Sequence, residues 1–190
     1  TEADAVWQKA RKKNNFALFA PYLEKIVKLC RKKAEYLGYK EHPYDALLDD
    51  FEEGLTTKDV EKFFSAIKSP LKKLLDSIKK SKKYKIKHPL EAEAYDLEKM
   101  KMLNQKILEF FQFSPKKLRL DISAHPFTQY FSINDARITT RYEKKDFARS
   151  LGSTVHEFGH ALYGMQCNPE LECTPLFDSD LSLIIHESQS

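Results

Sequence analysis

The chain has 190 residues, enough for one domain with a sizeable core. With 32% charged residues, only five glycines and no apolar run of about 18 residues, it reads as helical and soluble and excludes a helical membrane span. The net charge of +4 hides an asymmetry, because residues 150–190 carry six acids and no Lys or Arg, a formal −6, against +10 for the first 149. Three cysteines, Cys30, Cys167 and Cys173, form an odd set without a C-x-x-C pair. They point to a reducing compartment, hence a cytoplasmic protein, with no disulfide framework. Cys167 and Cys173 are read as buried thiols rather than as metal ligands.

In chain order, residues 2–38 read as helix, broken near Asn14 and Asn15, restarted by Pro21 and stopped at Gly38. His42 to Gly54 reads as a short helical turn and loop that points Tyr44, Leu47, Leu48 and Phe51 inward. Thr56 or Thr57 is expected to cap a helix carrying Val60, Phe63, Phe64 and Ile67, with Ser69-Pro70 ending it and starting another. Nine lysines and one acid lie between Lys68 and Lys87. The apolar stripe Leu71, Leu74, Leu75 and Ile78 makes that segment an amphipathic helix with a wet basic face, so no nucleic-acid partner is expected. After His88-Pro89 a long helix is predicted to run through Tyr95, Leu97, Met102, Leu103, Ile107 and Phe110 to about Phe113.

The period then shortens. Leu118, Leu120 and Ile122 alternate with Arg119 and Asp121, as on a strand. His125-Pro126-Phe127 reads as an extended turn, since a residue before proline avoids helix. Ile138-Thr139-Thr140 suggests a second strand on which Asp135, Arg137, Thr139 and Arg141 share a face. A small antiparallel sheet before the next helix is therefore expected.

That helix carries the chemistry. His156-Glu157-Phe158-Gly159-His160 places two histidines one helical turn apart, so that both imidazoles can reach one metal ion. Glu157 lies about 100° round the helix, beside a metal's water, and is a candidate general base. Phe147, Leu151, Val155, Phe158, Leu162 and Met165 form an apolar stripe of helical period, with Asp146 as the cap. Three of the five glycines, Gly152, Gly159 and Gly164, fall in this helix, which implies close backbone approach. A catalytic metal of this kind takes three protein ligands and a water. Downstream candidates for the third are Glu170, Glu172, Asp178, Asp180, His186 and Glu187. Residues 178–190 read as a second helix, capped by Asp178 or Ser179, with Leu181, Ile184 and Ile185 buried. Spacing alone does not choose between His186 and Glu187.

His125-Pro126-Phe127, Asp135-Ala136-Arg137-Ile138-Thr139, the His156–His160 motif and His186-Glu187-Ser188-Gln189 together resemble four successive signatures of the M32 metallocarboxypeptidases, the carboxypeptidase Taq family. Phe16-Ala17-Leu18-Phe19-Ala20-Pro21-Tyr22-Leu23 and Gly54-Leu55-Thr56-Thr57 are similar to it as well. The resemblance implies a mainly α, multi-helix, zincin-like (gluzincin) fold with the small antiparallel sheet ahead of the metal-binding helix. It also implies His156, His160 and Glu187 as ligands of Zn2+, with Co2+ or another divalent ion as alternatives, and Glu157 as the catalytic base. The activity implied is release of single amino acids from peptides with a free C-terminus, by a homodimer. Arg137 is a reasonable clamp for the terminal carboxylate, Arg141 a weaker one, and an Asp135–Arg137 pair bracing the sheet is the competing reading. His125 either contacts substrate or holds its loop.

Family members are longer. The chain is thus expected to be an internal part of one catalytic domain, with 1–117 helical, 118–145 the β region and 146–190 the metal-ligand helices, the parent extending beyond both ends. Two other readings are a different H-E-x-x-H peptidase, acting internally or from the N-terminus, and a non-catalytic helical binding module.

Overall fold

The computed structural model describes residues 1–85, 90, 94–177 and 182–190. It divides into two units, Thr1–Lys73 and Leu74–Ser190. In the first, α1 (Glu2–Lys12) and α2 (Ala20–Leu37) are separated at Asn14, whose φ of 48° breaks the helix where the two asparagines predict it. Pro21 sits in the first turn of α2 and Gly38 follows its last. The Tyr22 hydroxyl donates to Glu2 at 2.9 Å, tying α2 to α1.

One turn of helix, α3 (Asp45–Leu48), follows, and it buries only Ala46. A four-residue helix has one inward position to offer. Tyr44 and Phe51, expected inside, are more than half exposed. Thr56 begins α4 (Thr57–Lys80) with a reciprocal cap in which Thr56 Oγ1 accepts from the Asp59 amide and Asp59 accepts from the Thr56 amide, each at 3.2 Å. Asp45 accepts from the Thr57 amide at 2.7 Å and from its hydroxyl, joining α3 to α4.

Ser69-Pro70 does not divide α4, contrary to expectation: Pro70 lies inside one continuous helix. A proline there removes a backbone donor at a cost of about 3 kcal/mol. The apolar positions on its two sides, Val60, Phe63, Phe64, Ile67, Leu71, Leu74, Leu75 and Ile78, stay in phase on a single stripe, so continuing the helix keeps one face apolar throughout.

In the second unit, α5 (Leu97–Phe110) is capped by Asp96, whose carboxylate accepts from the Glu98 and Lys99 amides at 3.0 Å. Its predicted start at His88-Pro89 lies outside the described residues. Three strands follow, β1 (Leu118–Ile122), β2 (Thr128–Ser132) and β3 (Asp135–Thr140), in the order β1-β3-β2. The sheet is mixed, which corrects the expected antiparallel one: β2 pairs antiparallel with β3, and β1 pairs parallel with it. The cause is β2. Ser132 pairs with Asp135, so Ile133-Asn134 make a two-residue hairpin that gives β2 one edge of β3. β1 takes the remaining edge, and because the chain reverses between β1 and β2, β1 runs opposite to β2 and hence parallel to β3.

The helix α6 (Phe147–Met165) starts at its predicted cap, the Asp146 carboxylate accepting from the Arg149 amide at 3.0 Å. Its buried face is rotated from the apolar stripe. Val155 and Leu162 are more than a third exposed, while Ser150, Thr154, Glu157, Ala161 and Gly164 are buried. These small and polar side chains let the helix lie close to the sheet, and the buried hydroxyls stay satisfied: Thr154 Oγ1 of α6 and Thr140 Oγ1 of β3 both donate to the Ser150 carbonyl, at 2.9 and 3.0 Å. The core between α5, α6 and the sheet is formed by Leu108, Leu118, Tyr130, Ala136, Ile138, Phe158, Ala161 and Phe177. The last helix, α7 (Leu183–Ser188), is capped by the Ser182 hydroxyl; the candidate caps Asp178 and Ser179 and the residue Leu181 lie outside the described residues. Ile184 and Ile185 are exposed, not buried as expected, because so short a helix turns its Glu187 side toward α6. Among the described residues no helix is long and apolar enough to cross a membrane.

Candidate metal centre

Two glycines of α6 set the distances that build the site. A Cβ on Gly159 would collide with the Gln189 carbonyl oxygen and stand 2.8 Å from the Ser190 Cα. The backbone after α7 therefore rests directly on α6, and only a residue without a side chain allows it. At Gly164 a Cβ would lie 2.6 Å from the ring of Tyr130, so β2 packs on the same helix by the same device. Gly152 has open space around it and no such role.

With α7 seated on α6, His156, His160 and Glu187 offer donor atoms that all lie within 4.8 Å of one another. His160 Nε2 is 3.2 Å from His156 Nε2 and 3.8 Å from a Glu187 carboxylate oxygen. A tetrahedral cation with bonds of about 2.0–2.1 Å needs its ligand atoms about 3.3 Å apart, so the set has the right span. The donor chemistry fits too, with two nitrogen ligands and one anionic oxygen. Burial, followed by the neighbouring His186, holds the His160 pKa below its ordinary value. That favours the neutral imidazole, the form able to ligate. His160 is buried, and its Nδ1 has no hydrogen-bond partner. His156 and Glu187 are exposed, which leaves one side of the cluster open.

His186 is not among the converging donors. Its ring stacks on Tyr163, with centroids 4.9 Å apart and planes at 11°, and meets His160 edge to face at 4.5 Å. It thus fixes the sides of both ligand helices. The Glu157 carboxylate is buried against β2, where it accepts from the Thr128 hydroxyl at 2.7 Å.

The other two predicted residues stand apart from this group. On β3, Ala136, Ile138 and Thr140 face α6, which places Arg137 on the opposite side of the sheet. There its Nε and Nη2 donate to the two Asp135 carboxylate oxygens at 3.1 and 3.0 Å, and the guanidinium lies over Phe131. That pair holds the Asp135 carboxyl below its usual pKa. His125 belongs to a turn pinned by Thr139. The Phe127 amide donates to Thr139 Oγ1 at 2.9 Å, Thr139 Oγ1 pairs with Ser123 Oγ at 2.7 Å, and Ser123 donates to the His125 carbonyl. Thr139 closes the Asp135–Thr139 motif and so holds the His125–Phe127 motif in place. Arg141 pairs with Glu143 at 3.2 Å. Thr128 and Tyr163 were not singled out from sequence, since an unrecognised strand and a lone hydroxyl give no periodic signal, whereas the close approach expected from the glycines is found at Gly159 and Gly164.

A mainly helical frame, a small sheet on the helix that bears a histidine pair, and a carboxylate delivered from a second helix form an arrangement able to hold a divalent cation. The chain belongs to the carboxypeptidase Taq (M32) metallopeptidase family, whose model matches residues 1–190. It is 52% identical over 189 residues to thermostable carboxypeptidase 1 of Pyrococcus furiosus, covering 99% of this chain and 38% of that one. To carboxypeptidase 1 of Bacillus subtilis it is 38% identical over 190 residues, covering 100% of this chain and 38% of that one. The solved structure of BsuCP matches with a TM-score of 0.94 at 38% identity, over 99% of this chain and 37% of that one. The chain thus spans little more than a third of the length of these relatives.

Proposed function

We propose that this chain is the metal-binding part of a carboxypeptidase that releases single amino acids from peptides with a free C-terminus. The observation that carries the reading is the convergence of two imidazoles and a carboxylate in a member of this family. His156, His160 and Glu187 would hold a divalent cation, Zn2+ in our reading because two nitrogen ligands and one carboxylate suit it, with Co2+ as the alternative. Such an ion supplies Lewis acidity, drawing the pKa of a water towards about 7 and polarising the scissile carbonyl. Glu157 takes the proton of the attacking water and returns it to the leaving amine. Its burial shields that proton from bulk exchange. The exposed edges of His156 and Glu187 admit the peptide.

In this reading Arg137 receives the terminal carboxylate only by giving up its pairing with Asp135 and reaching past β2 to the α6 side of the sheet, and His125 contacts the substrate from its pinned turn. The cytoplasm is its compartment, in keeping with three unpaired thiols, and the working unit is a homodimer. The test uses the chain at the full length of its relatives. Glu157→Gln is expected to keep its metal and lose at least about a hundredfold in peptide hydrolysis; undiminished turnover would overturn the mechanism. Amidating the peptide C-terminus is expected to stop release, whereas equal cleavage of both peptides would indicate an endopeptidase. In Arg137→Gln that discrimination is expected to vanish, and its survival would return Arg137 to bracing the sheet.

A further inference from the structure

From β2, Thr128 reaches the proposed base. Its Oγ1 lies 2.7 Å from Glu157 Oε2 and 2.8 Å from the Glu157 backbone carbonyl oxygen. A hydroxyl has a single proton to give. The carboxylate oxygen is the nearer and the charged acceptor, so it takes the proton, and the hydroxyl ties the Glu157 side chain to β2.

The position of Thr128 is fixed from both sides. It pairs with Ile138 in the β2–β3 register, and Ile138 is fully buried on the α6 side of the sheet. One residue earlier, the Phe127 amide and carbonyl are both bonded to Thr139, at 2.9 Å each. A donor on a strand held in this way is more sharply placed than one on a loop. Glu157 has three flexible side-chain torsions, and its carboxylate is buried with a charge-assisted hydrogen bond from Thr128.

We propose that Thr128 is a positioning residue for Glu157, selecting the rotamer from which the carboxylate works as base. This rests on the reading of Glu157 given above. Thr128 is not one of the three converging donors, His156, His160 and Glu187.

The experiment uses the full-length chain and compares Thr128→Val, Thr128→Ala and Thr128→Ser with Glu157→Gln. Bound metal, melting temperature, kcat and KM are measured for each. Thr128→Val and Thr128→Ala are expected to retain metal and KM while kcat falls about ten- to hundredfold, the scale of a misplaced catalytic group. Thr128→Ser, which keeps the hydroxyl, is expected to stay within about threefold of the wild type, a difference under 1 kcal/mol. If Thr128→Val does not fold, the Ala and Ser pair carries the same contrast. Metal-loaded Ala and Val variants that turn over normally would overturn the inference, as would a Ser variant no better than they are. Glu157→Gln separates the two levels. Activity in that variant defeats the general-base reading itself, whereas an inactive Glu157→Gln beside a normal Thr128→Ala defeats only the role of Thr128.

Discussion

Among the described residues of Thr1–Lys73 the buried apolar side chains are three alanines, Ala10, Ala34 and Ala46. In Leu74–Ser190 a sheet and two helices bury Leu108, Ile138, Tyr130 and Phe158 around a common centre. Both regions are rich in amphipathic helix, yet only the second closes a core of large side chains. The difference lies in the small polar face of α6 and in the flat sheet it meets, because close approach of backbones surrounds the larger side chains on all sides. In the first unit Leu29, Tyr36, Phe63 and Phe64 remain exposed on helices that are tied together by capping and ion pairs. The candidate metal centre belongs to the closed unit. Three donors from two helices that are to hold one cation must keep their spacing to within a fraction of an ångström, and a packed framework supplies that stiffness.

The contrast can be broken most severely at Gly159. Gly159→Ala is expected to push the backbone after α7 away from α6, drawing Glu187 from the two histidines, and to weaken metal affinity by at least about a hundredfold, beyond the usual loss for a residue that merely supports a ligand. Calorimetric titration with Zn2+ measures it, and unchanged affinity would remove the close approach from the account. Next in size are paired truncations. Leu108→Ala, at a side chain 1% exposed, is expected to cost about 2–5 kcal/mol in chemical denaturation. Phe63→Ala, at 61% exposed, is expected to cost within about 0.5 kcal/mol. Equal costs would erase the distinction between the units.

The smallest effect concerns pH in the first unit. The Thr57 hydroxyl, and then the Thr57 amide, donate to Asp45 and lower its pKa. A carboxyl whose folded pKa is depressed contributes stability above its unfolded value, and that contribution is lost as the pH falls through the folded one. The melting-temperature gap between the wild type and Asp45→Ala is therefore expected to be full near pH 7 and to shrink on acidification below the ordinary carboxylate range. A gap that widens instead would mean that Asp45 acts other than as an ionised cap.

Much of the fold was legible. Asn14, Pro21, Gly38, Thr56 and Asp146 punctuate helices where their backbone preferences and side-chain acceptors say they should. The strand β2 was not legible, since Thr128 to Ser132 is short, follows a proline turn and has only Tyr130 as a buried side chain. Missing it gave the sheet the wrong sense and hid Thr128. Pro70 misled for the opposite reason, a strong local breaker overridden by a stripe that stays in phase. The apolar stripe of α6 misled as well, because helical period reports which residues share a face and says nothing about which face meets the sheet.

The sequence alone determined the histidine spacing on α6, the glutamate between the histidines, the caps that start the helices and the family resemblance, all of which are local or carried by the order of motifs. The resemblance also named Glu187 where spacing left His186 open; only the tertiary structure brought Glu187 beside the two histidines, put Arg137 across the sheet from α6 and joined Thr128 to Glu157. Those outcomes depend on how closely two backbones approach and on strand register, quantities fixed by packing between segments distant in the chain.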